Sequence, residues 1–250
     1  MRTFRIYACR ILPAGKFLIL DANKRQLLLF SNDGIFIRIV VTFIGYQFEP
    51  CFVLDACFIR NITVAVTLGS ANKTILADIE KNKIIRTIKV SHYCYGVASD
   101  SDTLLISSND RQSTRVNLND MSHTTLERLK GIGYISLFKG NIYGTNHYEN
   151  KVCCNKSTGE PLWTFQHKDI DRPVGITLGK NGFVYIVSSG TGSVVVISSD
   201  GKTCKPILLG AEGVKSPWAI DTNKETGMMI VPTKTKEGST SYETAFVYKI

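Results

Sequence analysis

Four histidines, at 92, 123, 147 and 167, and seven cysteines, at 9, 51, 57, 94, 153, 154 and 204, are among the side chains able to ligate a metal or act as nucleophiles. The histidines show no H-x-x-x-H spacing and the cysteines no C-x-x-C pair, so no short stretch supplies a zinc site. Gly201-Lys-Thr203 resembles the end of a phosphate-binding loop, but the earlier glycine such a loop requires falls on Val196, so an Asp-Gly-Lys hairpin turn is the reading. Ser189-Gly-Thr-Gly-Ser193 joins two strand-like runs and opens no helix that could cradle a phosphate. No Gly-x-Ser-x-Gly elbow is present, and Asp100 with Asp102 lacks the remaining ligands of a calcium loop. Thr158-Gly-Glu-Pro-Leu-Trp163 carries a quinoprotein-like Gly-x-x-x-Trp once, where a quinone ring would need it repeatedly; a packed tryptophan is expected. From these residues alone no cofactor, metal or catalytic group is expected.

The elements that carry these residues follow from an internal repeat. Phe17-Leu-Ile-Leu-Asp, Thr63-Val-Ala-Val-Thr, Thr103-Leu-Leu-Ile-Ser, Asn141-Ile-Tyr-Gly-Thr, Phe183-Val-Tyr-Ile-Val and Met228-Met-Ile-Val recur about every 38 to 46 residues. A short strand a precedes each run, a tight turn separates them, and an alternating strand c and a closing strand d follow, as in Lys73-Thr-Ile-Leu-Ala-Asp and Lys83-Ile-Ile-Arg-Thr-Ile-Lys. Asn32-Asp-Gly34 and Ser199-Asp-Gly201 place glycine where a hairpin turn needs positive φ. Thr125-Leu-Glu-Arg-Leu-Lys has a helix-like pattern but falls where strand d of the third copy belongs, and is read as strand. Six copies of about 40 residues are the period of a propeller blade. The expected fold is all-β, a six-bladed β-propeller of NHL or TolB type forming one domain over residues 1–250. The sixth copy lacks a strand d, and Thr3-Phe-Arg-Ile-Tyr7 is expected to supply it and close the ring.

Composition is consistent with such a domain: 44% hydrophobic, 20% charged and no interruption-free apolar stretch of the length a membrane span needs. No signal-peptide pattern opens the chain, and the odd, scattered cysteines suit a reducing compartment, so a cytoplasmic location is expected. The sequons at Asn61, Asn72 and Asn155 are chance matches on that reading. The net charge of +9 points toward acidic or phosphate-bearing partners.

Pro173-Val-Gly-Ile-Thr, Asn181-Gly-Phe-Val-Tyr-Ile-Val and Ser193-Val-Val-Val-Ile-Ser-Ser-Asp-Gly-Lys202 together resemble one NHL repeat, as do Gly140-Asn-Ile-Tyr-Gly-Thr-Asn and Asp21-Ala-Asn-Lys-Arg-Gln-Leu-Leu-Leu-Phe. The resemblance covers nearly the whole chain and is closest to the C-terminal propeller of tripartite-motif (TRIM) proteins. In that family RING and B-box zinc domains recruit ubiquitin-conjugating enzyme while the propeller selects protein substrates or RNA. The zinc domains have no counterpart here, so the chain is either a binding half alone or a fragment of a longer protein. The resemblance therefore implies a non-enzymatic platform for protein interaction, linked to ubiquitination.

A propeller sends its d–a and b–c loops to one face. Sorting charges by loop gathers Lys24, Arg25, Lys73, Arg111, Lys151, Arg172, Lys215, Lys234 and Lys236 there, with Tyr95 and Trp218 among them. This face is the expected partner surface. A protein segment is the first partner; single-stranded RNA, which favours basic groups with interleaved aromatics, is the alternative. Neither DNA nor a membrane is expected. A third alternative is a propeller hydrolase or oxidoreductase with a channel metal assembled from several strands a. Those strands read as mostly apolar or hydroxyl-bearing, with Asp221 the only acid found in one.

Overall fold

The computed structural model describes residues 4–43, 52–60, 62–100, 102–110, 112–208, 216–234 and 244–250. Among the described residues, twenty-three strands form six antiparallel sheets in a ring, five of four strands and one of three. Blade 1 comprises β1 (Ile6–Ile11), β2 (Phe17–Asp21), β3 (Gln26–Phe30) and β4 (Phe36–Thr42). Blade 2 holds β5 (Val53–Phe58), β6 (Thr63–Leu68), β7 (Lys73–Asp78) and β8 (Lys83–Lys89). Blade 3 holds β9 (Val97–Ser99), β10 (Thr103–Ile106), β11 (Ser113–Asn117) and β12 (His123–Leu126). Blade 4 holds β13 (Ile135–Phe138), β14 (Asn141–Asn146), β15 (Lys151–Lys156) and β16 (Pro161–Phe165). Blade 5 holds β17 (Pro173–Leu178), β18 (Val184–Ser188), β19 (Ser193–Ile197) and β20 (Cys204–Leu208). Blade 6 holds β21 (Asp221–Asn223), β22 (Met228–Thr233) and β23 (Thr244–Lys249). The propeller expected from the repeat is thus the fold observed, and β12 covers the start of the stretch with the helix-like pattern.

The strand-b runs are continuous rather than alternating because each blade packs on a neighbour through both faces. All of Val64, Ala65 and Val66 is buried, as is all of Leu104, Leu105 and Ile106. Five apolar clusters occupy the seams between successive blades, one of them serving the two seams on either side of blade 5. Polar clasps reinforce the seams at matching positions. The hydroxyl at the end of strand b donates to the next blade's backbone in three successive blades. Thr67 Oγ1 donates to Tyr95 O at 2.9 Å, Thr145 Oγ1 to Val174 O at 3.0 Å, and Ser107 Oγ to Gly133 O.

Glycine lets the backbones approach at these seams. A Cβ on Gly175 would lie 2.9 Å from Ala219 Cα and 3.0 Å from Trp218 O, both backbone atoms that cannot swing aside. Gly175→Ala is therefore expected to destabilise the ring by about 1–3 kcal/mol, as overpacking does. A denaturant midpoint unchanged from the parent would contradict that.

The expected closure by residues 3–7 is corrected. Thr3 lies outside the described residues, and Ile6 and Tyr7 belong to β1, the inner strand of blade 1. Arg5 extends that pairing instead of joining blade 6: Ala22 N–H donates to Arg5 O at 2.8 Å, and Arg5 N–H to Asp21 Oδ1 at 3.1 Å. The reason is that the end of β2 supplies partners for these backbone groups, Ile6 standing opposite Asp21 across a register shift between Ile6 and Ala8. Among the described residues the ring closes by packing, with Phe4, Ile6 and Cys9 against Met228, Ile230 and Ala245, and by two hydrogen bonds, the weaker from Cys9 Sγ to Ile230 O at 3.8 Å. Ile11 N–H donates to Asp221 Oδ2 at 2.7 Å.

Candidate functional site: the axial channel

Six inner strands face the ring axis, and what they present there changes with depth. At the d–a end the aromatic residues that precede or begin strands a form a crown. Tyr7 stacks on Trp218 with centroids 6.0 Å apart, Trp218 meets Tyr134 edge-on at 6.4 Å, and Tyr134 meets Tyr95 edge-on at 5.2 Å. Burial pushes the Tyr134 hydroxyl well above its ordinary pKa, with Tyr95 adding to the shift.

Below the crown three ionisable groups approach one another. Arg10 on β1 donates from Nη2 to Asp55 Oδ1 on β5 at 2.6 Å and from Nη1 to its neighbour's carbonyl, Cys9 O, at 2.6 Å. Asp55 also accepts Ala56 N–H at 2.8 Å and, through Oδ2, Val97 N–H of β9 at 3.0 Å. One carboxylate therefore binds three consecutive blades. Asp221 on β21 accepts Ile11 N–H through Oδ2 and Thr177 Oγ1 through Oδ1 at 3.4 Å. Both N–H donors lie on inner strands, whose axis-side edge has no further strand to pair with, so a carboxylate satisfies what the sheet leaves open.

A cavity of about 260 Å³ lies at the a–b end of this channel, lined by Arg10, Ser99, Ser136, Thr177, Asp221 and Lys224 among others. Two of its groups are shifted in opposite directions. Burial raises the Asp221 carboxyl above the usual carboxylate range, against the pull of Arg10. Burial lowers the Lys224 ammonium, against the pull of Asp221, and Lys224 Nζ sits 4.6 Å from the Phe138 ring centroid. A carboxyl and an amine brought toward each other in pKa, inside a cleft, is an arrangement associated with proton transfer.

Sequence reasoning found Asp221 but missed Asp55, so Asp221 is not the only acid on an inner strand. Asp55 lies on β5, which starts at Val53. A register shift between Val53 and Ala56 turns Asp55 toward the axis out of simple alternation. Arg10 lies on β1, with nothing local to mark its partner 45 residues away.

The expected partner face holds the described loop residues assigned to it. Lys24 and Arg25 lie in the b–c turn of blade 1, Lys73 and Lys151 begin β7 and β15, Arg172 precedes β17, and Lys234 follows β22. Tyr95 and Trp218 are part of the crown. Arg111, Lys215 and Lys236 lie outside the described residues. Several of these cations have intramolecular contacts: Lys24 Nζ is 4.9 Å from the Phe4 ring centroid, Lys151 pairs with Glu149, and Arg172 Nε is 3.8 Å from Asp171 Oδ2. The axial cavity opens at the opposite end. Of the histidines, His92 is buried and bonded to Thr114 Oγ1 at 2.8 Å, a packing role.

The sequence matches no protein-family profile, and no curated protein matches it. Solved structures do. A streptogramin B lyase superposes with a TM-score of 0.70 at 14% identity, covering 100% of this chain and 84% of its own. Virginiamycin B lyase from Staphylococcus aureus superposes with a TM-score of 0.69 at 16% identity, covering 100% and 85%. A catalytically inactive histidine-to-alanine variant of that lyase, with quinupristin, gives a TM-score of 0.71 at 16% identity, covering 99% and 85%. At such identities the likeness shows the fold alone. It nevertheless corrects two expectations. The chain was expected not to be an enzyme, and that exclusion does not stand when the propellers it superposes on are lyases. The tripartite-motif resemblance extends no further than the propeller itself.

Proposed function

We propose that this propeller is an enzyme acting on a small polar molecule held in the axial cavity, with Asp221 as proton acceptor and Lys224 as proton donor. The convergence of these two groups with Arg10 on one cleft carries the reading, and the opposed directions of their pKa shifts support it. A raised carboxyl is a stronger base and a lowered ammonium a stronger acid, so both are poised for transfer nearer neutral pH. Elimination needs this pair: a base removes a proton next to a carbonyl, the bond to the leaving group breaks, and an acid protonates what leaves. Lyase chemistry in the similar propellers supports that class. Arg10 and the hydroxyls of Ser99, Ser136 and Thr177 line the same space and suit a substrate bearing an anionic or carbonyl group.

The test is a thermal-shift screen of small carboxylates and carbonyl compounds with an acidic α-proton, followed by product analysis of each hit. Hits that raise the melting temperature of the parent, but not of Ser136→Trp, which fills the cavity, are expected. Stabilisation that survives this filling, or hits that are never turned over, would remove the reading.

A second reading concerns the other end of the channel, where the aromatic crown shares a face with the loops that carry Lys24 and Arg172. It offers stacking surface and positive charge to a protein segment first, and to single-stranded RNA second. RNA affinity is expected to fall steeply between low and physiological salt if phosphates are bound, whereas a flat response would leave only the protein partner.

A further inference from the structure

Away from the channel, three donor side chains from two blades converge. His167 and Asp169 lie in the connection between blades 4 and 5, and Cys204 begins β20, the outer strand of blade 5. Their ligating atoms all lie within 4.8 Å of one another, and no other such group of three occurs among the described residues. His167 Nδ1 is 3.4 Å from Asp169 Oδ2. A tetrahedral zinc ion, with bonds of about 2.0–2.3 Å, holds its ligands roughly 3.3–3.8 Å apart, so this pair already has the spacing of two zinc ligands.

We propose that His167, Asp169 and Cys204 bind a zinc-class divalent cation, leaving a fourth position open to solvent. The backbone and its neighbours hold the donors in place. Ile170 N–H donates to His167 O at 2.9 Å, closing the turn that brings the two loop ligands to one side. The Phe165 ring stacks on the His167 imidazole at 6.2 Å with an interplanar angle of 14°, fixing its plane. Thr191 Oγ1 reaches Asp169 O at 3.5 Å from the next blade.

The chemistry of the donor set selects the occupant. Sulfur, imidazole nitrogen and one carboxylate together suit zinc or cobalt, whereas calcium and magnesium take oxygen donors throughout. A thiol–imidazole–carboxylate group also suggests a nucleophilic cysteine, but the local field opposes that. The Asp169 carboxylate lies within 4.8 Å of the Cys204 sulfur, and a negative neighbour disfavours a free thiolate. A dication reverses this: Cys204 gives its proton to solvent, His167 binds as neutral imidazole, and Asp169 becomes an attractive partner. The other described cysteines are all buried, which leaves Cys204 as the accessible thiol among them.

The full chain, freed of metal by chelation, should be titrated with cobalt(II) as a spectroscopic substitute and then with zinc in competition. One equivalent is expected, with tetrahedral ligand-field bands and a thiolate-to-cobalt charge-transfer band. Cys204→Ser should abolish the charge-transfer band, and His167→Ala and Asp169→Asn should each weaken cobalt and zinc binding by tenfold or more, with metal-free melting curves unchanged. The site is refuted if the band persists in Cys204→Ser, if the parent shows no band, or if the triple variant binds zinc as tightly as the parent. These outcomes do not depend on any activity in the axial cavity.

Discussion

Replacing Arg10 with leucine is expected to lower the unfolding free energy by about 3–5 kcal/mol, the usual cost of leaving one member of a buried ion pair without its partner. The pair is well enclosed, with side-chain exposures of 15% for Arg10 and 3% for Asp55. Without the guanidinium, the Asp55 carboxylate keeps only the Ala56 and Val97 N–H donors, which cannot balance a full charge removed from water. The loss should be felt across three blades, because Asp55 binds Arg10 on one side and Val97 on the other. A second substitution distinguishes charge from packing. Asp55→Asn removes the stranded charge yet retains a carbonyl oxygen for the Val97 N–H, so Arg10→Leu/Asp55→Asn should recover more than half of the loss. Urea denaturation followed by the fluorescence of Trp163 and Trp218 reads both variants in blade 4 and at the start of blade 6. A loss below about 1 kcal/mol, or no recovery in the double variant, would show that the pair is not the clasp described.

How much of this was legible in the sequence depends on which interaction set each residue. The strand-b runs were legible because burial on both blade faces makes them continuously apolar, and their recurrence gives the blade count directly. Asp-Gly and Asn-Gly turns added local chemistry, and Gly34 and Gly201 do adopt positive φ, at 83° and 69°. The inner strands were less legible. Their bulges, between Ile6 and Ala8, Val53 and Ala56, and Pro173 and Ile176, break the alternation from which an inward side chain is read. Asp55 consequently carries no inward-facing signal in the sequence, although it is the acceptor that three blades share. Residues 5–7 likewise pair within the first blade, against the closure expected from counting strands. His167, Asp169 and Cys204 illustrate a different limit. Ligands from two blades carry no spacing signature, because blade stacking rather than chain proximity brings them together.

Replacing Asp221 with asparagine is expected to reduce turnover of a cavity substrate by about 10²–10⁴-fold, the range for loss of a general base, with little change in KM. Asparagine keeps an oxygen to accept the Ile11 N–H, so the seam between blades 6 and 1 should hold. The pH profile identifies the role. With Asp221 as the base and Lys224 as the acid, activity should rise as Asp221 ionises and fall as Lys224 loses its proton. The first limb lies above the ordinary carboxylate range and the second below the ordinary lysine range. Asp221→Asn should erase the acid limb and leave the alkaline one, and Lys224→Met should do the reverse. Stability should move the opposite way from activity. A carboxyl whose folded pKa is raised binds its proton more tightly in the native state. Its contribution to stability is therefore greatest below the unfolded pKa of about 3.9 and declines as pH rises through the folded value. Asparagine removes that decline, so the variant should be at least as stable as the parent near pH 7 while losing activity. Such an exchange is characteristic of a residue kept for chemistry at a cost in stability. An Asp221→Asn protein that lost stability in step with activity, or retained both pH limbs, would instead make Asp221 a structural acceptor for Ile11 and nothing more.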